Sequence, residues 1–286
     1  MPIVDVRGVN HYYEWIRRDE NAHKPVMVFI HGWGGSSRYW RSTAEAIADD
    51  FDCLLYDLRG FGRSSLPQDT INSVGFAMED YADDLAILLD NLNLKQIYLN
   101  AHSMGASLAT FFLNRYSDRV QQAILTCNGI FEYNALAFAA FHKAGGYVVK
   151  FRYNWFLKFP FADRMFMARF LHRPIPKSDR LAFLEDFLLA DRTAAAGTIY
   201  TSVSKEAVET MPIEFAKLTV PTLMVSGEKD IIIPAKMGQQ AAALNEQIEY
   251  VELAKTAHFP MLEDKPAYLN TIRKFLQIGS AVARSS

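Results

Sequence analysis

The sequence predicts an α/β protein built on a mostly parallel sheet of eight strands with helices on both faces. Short apolar runs without internal alternation recur along the chain, the pattern of strands buried on both faces. Between them lie stretches whose apolar residues repeat at helical spacing. Strands alternating with helices imply parallel pairing through right-handed crossovers.

In chain order, Asp5 to Ile16 alternates apolar and polar residues around Gly8-Val9-Asn10 and reads as an antiparallel hairpin. Continuous runs follow at Val26–Ile30, Cys53–Tyr56, Ile97–Leu99, Ala123–Leu125, Thr222–Val225 and Ile248–Val251. Helical patterns occupy Trp40–Ala48, Ala77–Leu92, Gly105–Tyr116, Ala235–Leu244 and Pro266–Ile278. Ligands on such sheets bind beyond the carboxyl ends of the strands, so the residues just after each run matter most.

One segment breaks the rhythm. From about Asn128 to Met211 no strand is evident, aromatic residues crowd together, and Gly145-Gly146, Pro160, Pro174 and Pro176 interrupt helical patterns. This reads as a helical cap, residues 131–211, inserted in a core domain made of residues 1–130 and 212–286.

The whole chain sets the outer limits. Its 286 residues are 50% apolar, enough for a sizeable core, and a net charge of −2 gives no general attraction to nucleic acid. The start MPIVDVRGVN lacks a basic and then apolar leader, and no apolar run approaches the roughly 18 residues of a spanning helix. Two cysteines, Cys53 and Cys127, are too few for a disulfide framework or a zinc site. A cytoplasmic protein without stable membrane insertion is the expectation, its oligomeric state left open.

The chemistry centres on Asn100-Ala101-His102-Ser103-Met104-Gly105, which closes a strand run and opens a helical one. A serine on so sharp a turn needs small residues two before and two after it, and Ala101 and Gly105 supply them. A serine before a helix can also be a plain N-cap. The segment resembles the nucleophile elbow of the α/β-hydrolase family, with alanine where glycine is commoner, and its partners lie where that family requires them. The resemblance implies an α/β-hydrolase fold and a catalytic triad in the order Ser103, Asp230, His258. Glu132 is the rival acid, but its offset from Cys127 is too long. It also implies an oxyanion hole from the backbone amides of Met104 and of Trp33, in Ile30-His31-Gly32-Trp33-Gly34.

The same resemblance reads Asp57-Leu58-Arg59-Gly60-Phe61-Gly62-Arg63-Ser64 as a turn-bracing loop and puts Cys53 about 14 Å from Cys127, beyond disulfide reach. His31 and His102 read as structural spacers, with His31, Phe131, Phe138 and Phe259 as candidate substrate-binding residues. Nothing calls for a metal or cofactor. The implied activity is a serine hydrolase acting on a carboxylic ester of a small apolar substrate. Thioesterase, lipase, carbon–carbon bond hydrolase, cofactor-free haloperoxidase and a low-turnover ligand receptor are the alternatives.

Overall fold

A computed structural model describes residues 2–19, 23–71 and 73–278. Its strands are β1 (Ile3–Val6), β2 (Val9–Ile16), β3 (Val26–Ile30), β4 (Asp52–Tyr56), β5 (Ile97–His102), β6 (Val120–Thr126), β7 (Thr222–Gly227) and β8 (Ile248–Leu253). They form one sheet in the order β1-β2-β4-β3-β5-β6-β7-β8. The two pairings made by β2 are antiparallel and all the others parallel. The hairpin turn falls on Arg7-Gly8, at φ 55° and 78°, slightly ahead of the expected Gly8-Val9-Asn10. Both turn residues then adopt the left-handed conformation whose twist matches that of the flanking strands.

The helices are α1 (Arg41–Ile47), α2 (Met78–Asn91), α3 (Met104–Arg115), α4 (Ala135–Lys150), α5 (Ala162–Met167), α6 (Lys177–Leu189), α7 (Arg192–Ser202), α8 (Lys205–Ala216), α9 (Ala235–Ala242), α10 (Pro260–Glu263) and α11 (Lys265–Leu276). The sheet separates two cores. In β3, Val28 and Ile30 face one side with Leu85, Leu88 and Phe112 of α2 and α3. Met27 and Phe29 face the other with Trp40, Ile47 and Ile272 of the α1 and α11 layer. Side chains alternate between faces, and both faces are covered, which is why the runs are continuously apolar. Each large side chain so buried stabilises the fold by about 1.5–3 kcal/mol.

The helices α4 to α8 all lie between β6 and β7. Residues 205–216, which span the expected boundary at Met211, form one helix through Pro212. Met211 and Phe215 are buried in the α2/α3 core, and Asn114 Nδ2 of α3 donates to Glu214 O at 2.9 Å. Cys53 and Cys127 are buried free thiols, and burial pushes both thiols up. Among the described residues no helix is long and apolar enough to cross a membrane.

Candidate active site

The elbow lies where β5 becomes α3. Ser103 sits at φ 54°, ψ −124°, a conformation that costs about 1–3 kcal/mol for a non-glycine residue. Its backbone is held on both sides: Ser103 N–H donates to Thr126 O at 2.9 Å, and Ser103 O accepts from Ala106 N–H at 2.8 Å. The turn is possible only because α3 runs tight against the end of β3. A Cβ on Gly105 would stand 2.4 Å from the His31 carbonyl oxygen.

Two further loops converge on the serine. The acid loop after β7 and the histidine loop after β8 meet at Gly227, where a Cβ would lie 2.0 Å from Ala257 O. Glu228 N–H and Lys229 N–H bond to Leu253 O and Thr256 O, at 3.1 and 2.8 Å. Asp230 is buried, and its Oδ1 accepts from the amides of Ile232 (2.8 Å) and Ile233 (3.1 Å). That leaves Oδ2 for His258 Nδ1, at 2.7 Å, while His258 Nε2 lies 3.1 Å from Ser103 Oγ. With Nδ1–H donating to a carboxylate, the Nε2 lone pair is aimed at the serine hydroxyl.

Trp33 and Met104 are placed beside this line. Met104 opens α3, so its N–H has no intrahelical acceptor and feels the positive end of the helix dipole. Trp33 follows Gly32, where an added Cβ would touch Ser103 Cβ at 3.0 Å. The Trp33 indole donates to Ala195 O of α7 at 2.9 Å and packs on Phe187 of α6, 5.7 Å between centroids.

Two of the candidate pocket residues are not pocket residues here. His31 has no exposed surface: Nε2 accepts from Leu58 N–H at 2.9 Å and Nδ1–H donates to Gly32 O at 2.8 Å. Both nitrogens serve loop geometry, leaving nothing for a substrate. Phe259 is equally buried, edge-on to Tyr39 and Phe183, behind the His258 ring. Phe131 and Phe138 are half-buried in the insertion, Phe138 against Tyr133 at 5.3 Å. The rings that pack on the His258 imidazole are Phe170, Phe259 and His102.

Comparison with known proteins places the molecule. A model of the α/β-hydrolase fold family matches residues 25–265. The chain belongs to that family. RutD of Pseudomonas savastanoi pv. phaseolicola, named as a carbamate hydrolase, is 27% identical over 270 residues, covering 91% of this chain and 97% of that protein. The enol-lactonase of Burkholderia xenovorans LB400 superposes with a TM-score of 0.77 at 20% identity, over 96% of this chain and 100% of that one. A thermophilic esterase of Thermogutta terrifontis gives 0.76 at 23% identity, over 97% and 98%.

In this α/β hydrolase, three supporting groups escaped sequence reasoning. Tyr39 O–H donates to His102 Nδ1 at 2.9 Å, and His102 Nε2–H donates to His258 O at 2.7 Å. Burial keeps His102 neutral, well below the usual histidine range, and outweighs the bond to His258 O, which favours the charged ring. Glu263 accepts at Oε1 from Ala257 N–H (2.8 Å) and Phe259 N–H (3.3 Å), and at Oε2 from His172 N–H (2.6 Å) and Arg173 N–H (2.8 Å). Phe170 O accepts from His258 N–H at 3.0 Å. A carboxylate in the first turn after Pro260 is a helix-start pattern that could have revealed Glu263. Nothing local marks Tyr39 or Phe170.

His102, Cys127 and His258 bring metal-ligand atoms within 4.8 Å of one another. Every ring nitrogen among them already has a hydrogen-bond partner, and burial disfavours the Cys127 thiolate a metal would need.

Proposed function

We propose that the chain is a serine hydrolase that cleaves the carboxylic ester of a small, apolar substrate. The observation that carries this reading is the unbroken line Ser103 Oγ–His258 Nε2–Asp230 Oδ2, with separations of 3.1 and 2.7 Å, standing on a positive-φ turn at a strand end. Ser103 attacks the acyl carbon as its proton passes to His258 Nε2. Asp230 holds the imidazole in the Nδ1–H tautomer and stabilises the imidazolium. The oxyanion then forms against the Met104 and Trp33 amides, neither of which donates to another acceptor among the described residues. His258 returns the proton to the departing alcohol. It next takes one from water as that water attacks the acyl–Ser103 ester, releasing the acid and restoring the serine.

An apolar acyl group fits the aromatic packing about the site, where Phe166, Phe170, Phe183 and Phe187 stand between His258 and Trp33. The helical insertion contributes all four rings and acts as the cap over the strand ends.

The test is covalent labelling of the intact protein by a fluorophosphonate, beside turnover of p-nitrophenyl esters of rising chain length. Wild type should label at Ser103 and turn over. Ser103→Ala should do neither, losing on the order of 10⁴-fold or more in kcat. Ester turnover that survives in Ser103→Ala sinks the mechanism.

A further inference from the structure

The insertion carries an apolar surface that the fold does not cover. Helix α4 spans 16 residues and buries only Val149. Beyond it a chain of rings runs Tyr147–Phe151–Tyr153–Trp155–Phe159, each centroid 6.1–6.4 Å from the next. Their exposures are 53, 48, 44, 53 and 57%. Rings of this size, half exposed, present on the order of 500 Å² in one patch, near the upper end of what a monomer leaves uncovered.

The charge of the patch says what covers it. From Phe131 to Phe170 the chain carries Lys143, Lys150, Arg152, Lys158, Arg164 and Arg169, against two carboxylates, Glu132 and Asp163. Asp163 is buried on Arg180, which leaves Glu132 as the one exposed carboxylate of this stretch. All of the cations except Arg152 are exposed. Lys150 stands 5.7 Å over Phe151 and Arg164 5.9 Å over Phe161, so cations and rings share one face. The whole chain is nevertheless at −2, so the positive charge is local to the patch. A second copy docked isologously would set these cations against themselves. An anionic bilayer matches both features: rings at the headgroup–acyl boundary and cations among the phosphates.

We infer that the face formed by α4 and residues 151–165 docks the protein reversibly on an anionic phospholipid surface, with Trp155 and Phe159 entering the interface. This docking does not depend on the chemistry at Ser103, so the two readings stand or fall separately.

The test is co-sedimentation of the full chain with phosphatidylglycerol–phosphatidylcholine vesicles and with phosphatidylcholine vesicles alone. Binding should appear on the anionic vesicles, weaken with added salt, and be at least tenfold weaker without the anionic lipid. Trp155→Ser/Phe159→Ser should lose at least tenfold in partitioning. Lys150→Gln/Lys158→Gln should lose about twentyfold, on anionic vesicles only, at roughly fivefold per cation. Both variants should keep the wild-type rate on a water-soluble ester. Three outcomes overturn the inference: no binding to anionic vesicles, unaltered binding by the ring variant, or a dimer that the ring variant abolishes.

Discussion

At Gly105 an added methyl would meet the His31 carbonyl oxygen at 2.4 Å and Ile30 Cγ2 at 2.9 Å. The first of these atoms is backbone, and the His31 ring is tied at both nitrogens, so α3 must yield instead. Gly105→Ala is therefore expected to cost about 1–3 kcal/mol through overpacking. It should also carry the Met104 amide away from Ser103 Oγ, with a kcat loss of tenfold or more. The opposite change two residues before the serine has no such lever. Ala101 is wholly buried, and Ala101→Gly removes one methyl, worth about 1 kcal/mol, without moving α3. Urea unfolding and ester turnover on the two variants separate the cases. Equal activity losses would show that the approach of α3 to β3 does not set the elbow.

Between elements, Glu263 is the clamp. One carboxylate accepts two amides of the His258 loop and two of the segment entering α6, so the insertion and His258 share a support. Glu263→Ala leaves four donors without their acceptor, at about 1–3 kcal/mol for each that stays buried. A loss of 3 kcal/mol or more in stability is expected, together with reduced kcat as His258 loses its register. Glu263→Gln keeps an acceptor for two of the four donors and turns an NH2 toward the other two, so it should recover only part of either. A Glu263→Ala protein with normal melting and normal kcat would remove the clamp from the account. Such supports were hidden in the sequence, whereas the strands and the Ser103, Asp230 and His258 loops were legible. Continuous apolar runs ending on chemistry-bearing residues are local signals. The apolar run of β5 stops at Leu99, short of Asn100 and His102, because the partners that satisfy those two, Tyr268 and Tyr39, come from distant parts of the chain. The packing of the helix through Met211 on α3 is a contact that composition does not reveal. Aromatic density in the insertion was visible, but which rings are covered was not.

Across the whole molecule, the buried histidines set the acid limit of the fold. His11, His31 and His102 are all held below 6.5, first by burial, which penalises the imidazolium. His31 has both ring nitrogens engaged as a neutral group and cannot take a proton without losing the bond from Leu58 N–H. The sign follows directly. Below pH 6.5 the unfolded chain binds protons that the folded chain refuses, so stability is complete above that value and falls as pH drops. Each histidine adds to this slope only until pH falls through its own lowered folded value. Asp57 acts only later. Burial opposes its charge, but the hydrogen bonds and charge of Arg63 outweigh that and hold it below 3.8, so its contribution disappears in stronger acid. Asp179 and Asp186, raised above 3.8 by burial, work in the opposite sense and at higher pH, gaining stability as pH falls through their raised folded values toward 3.8. Urea unfolding stepped from pH 7.5 to 5 should therefore show a flat region and then a decline below pH 6.5. His11→Gln, His31→Asn and His102→Asn should each reduce the slope of that decline, whatever they do to stability at neutral pH. A slope that none of the three variants changes would place the acid sensitivity elsewhere in the molecule.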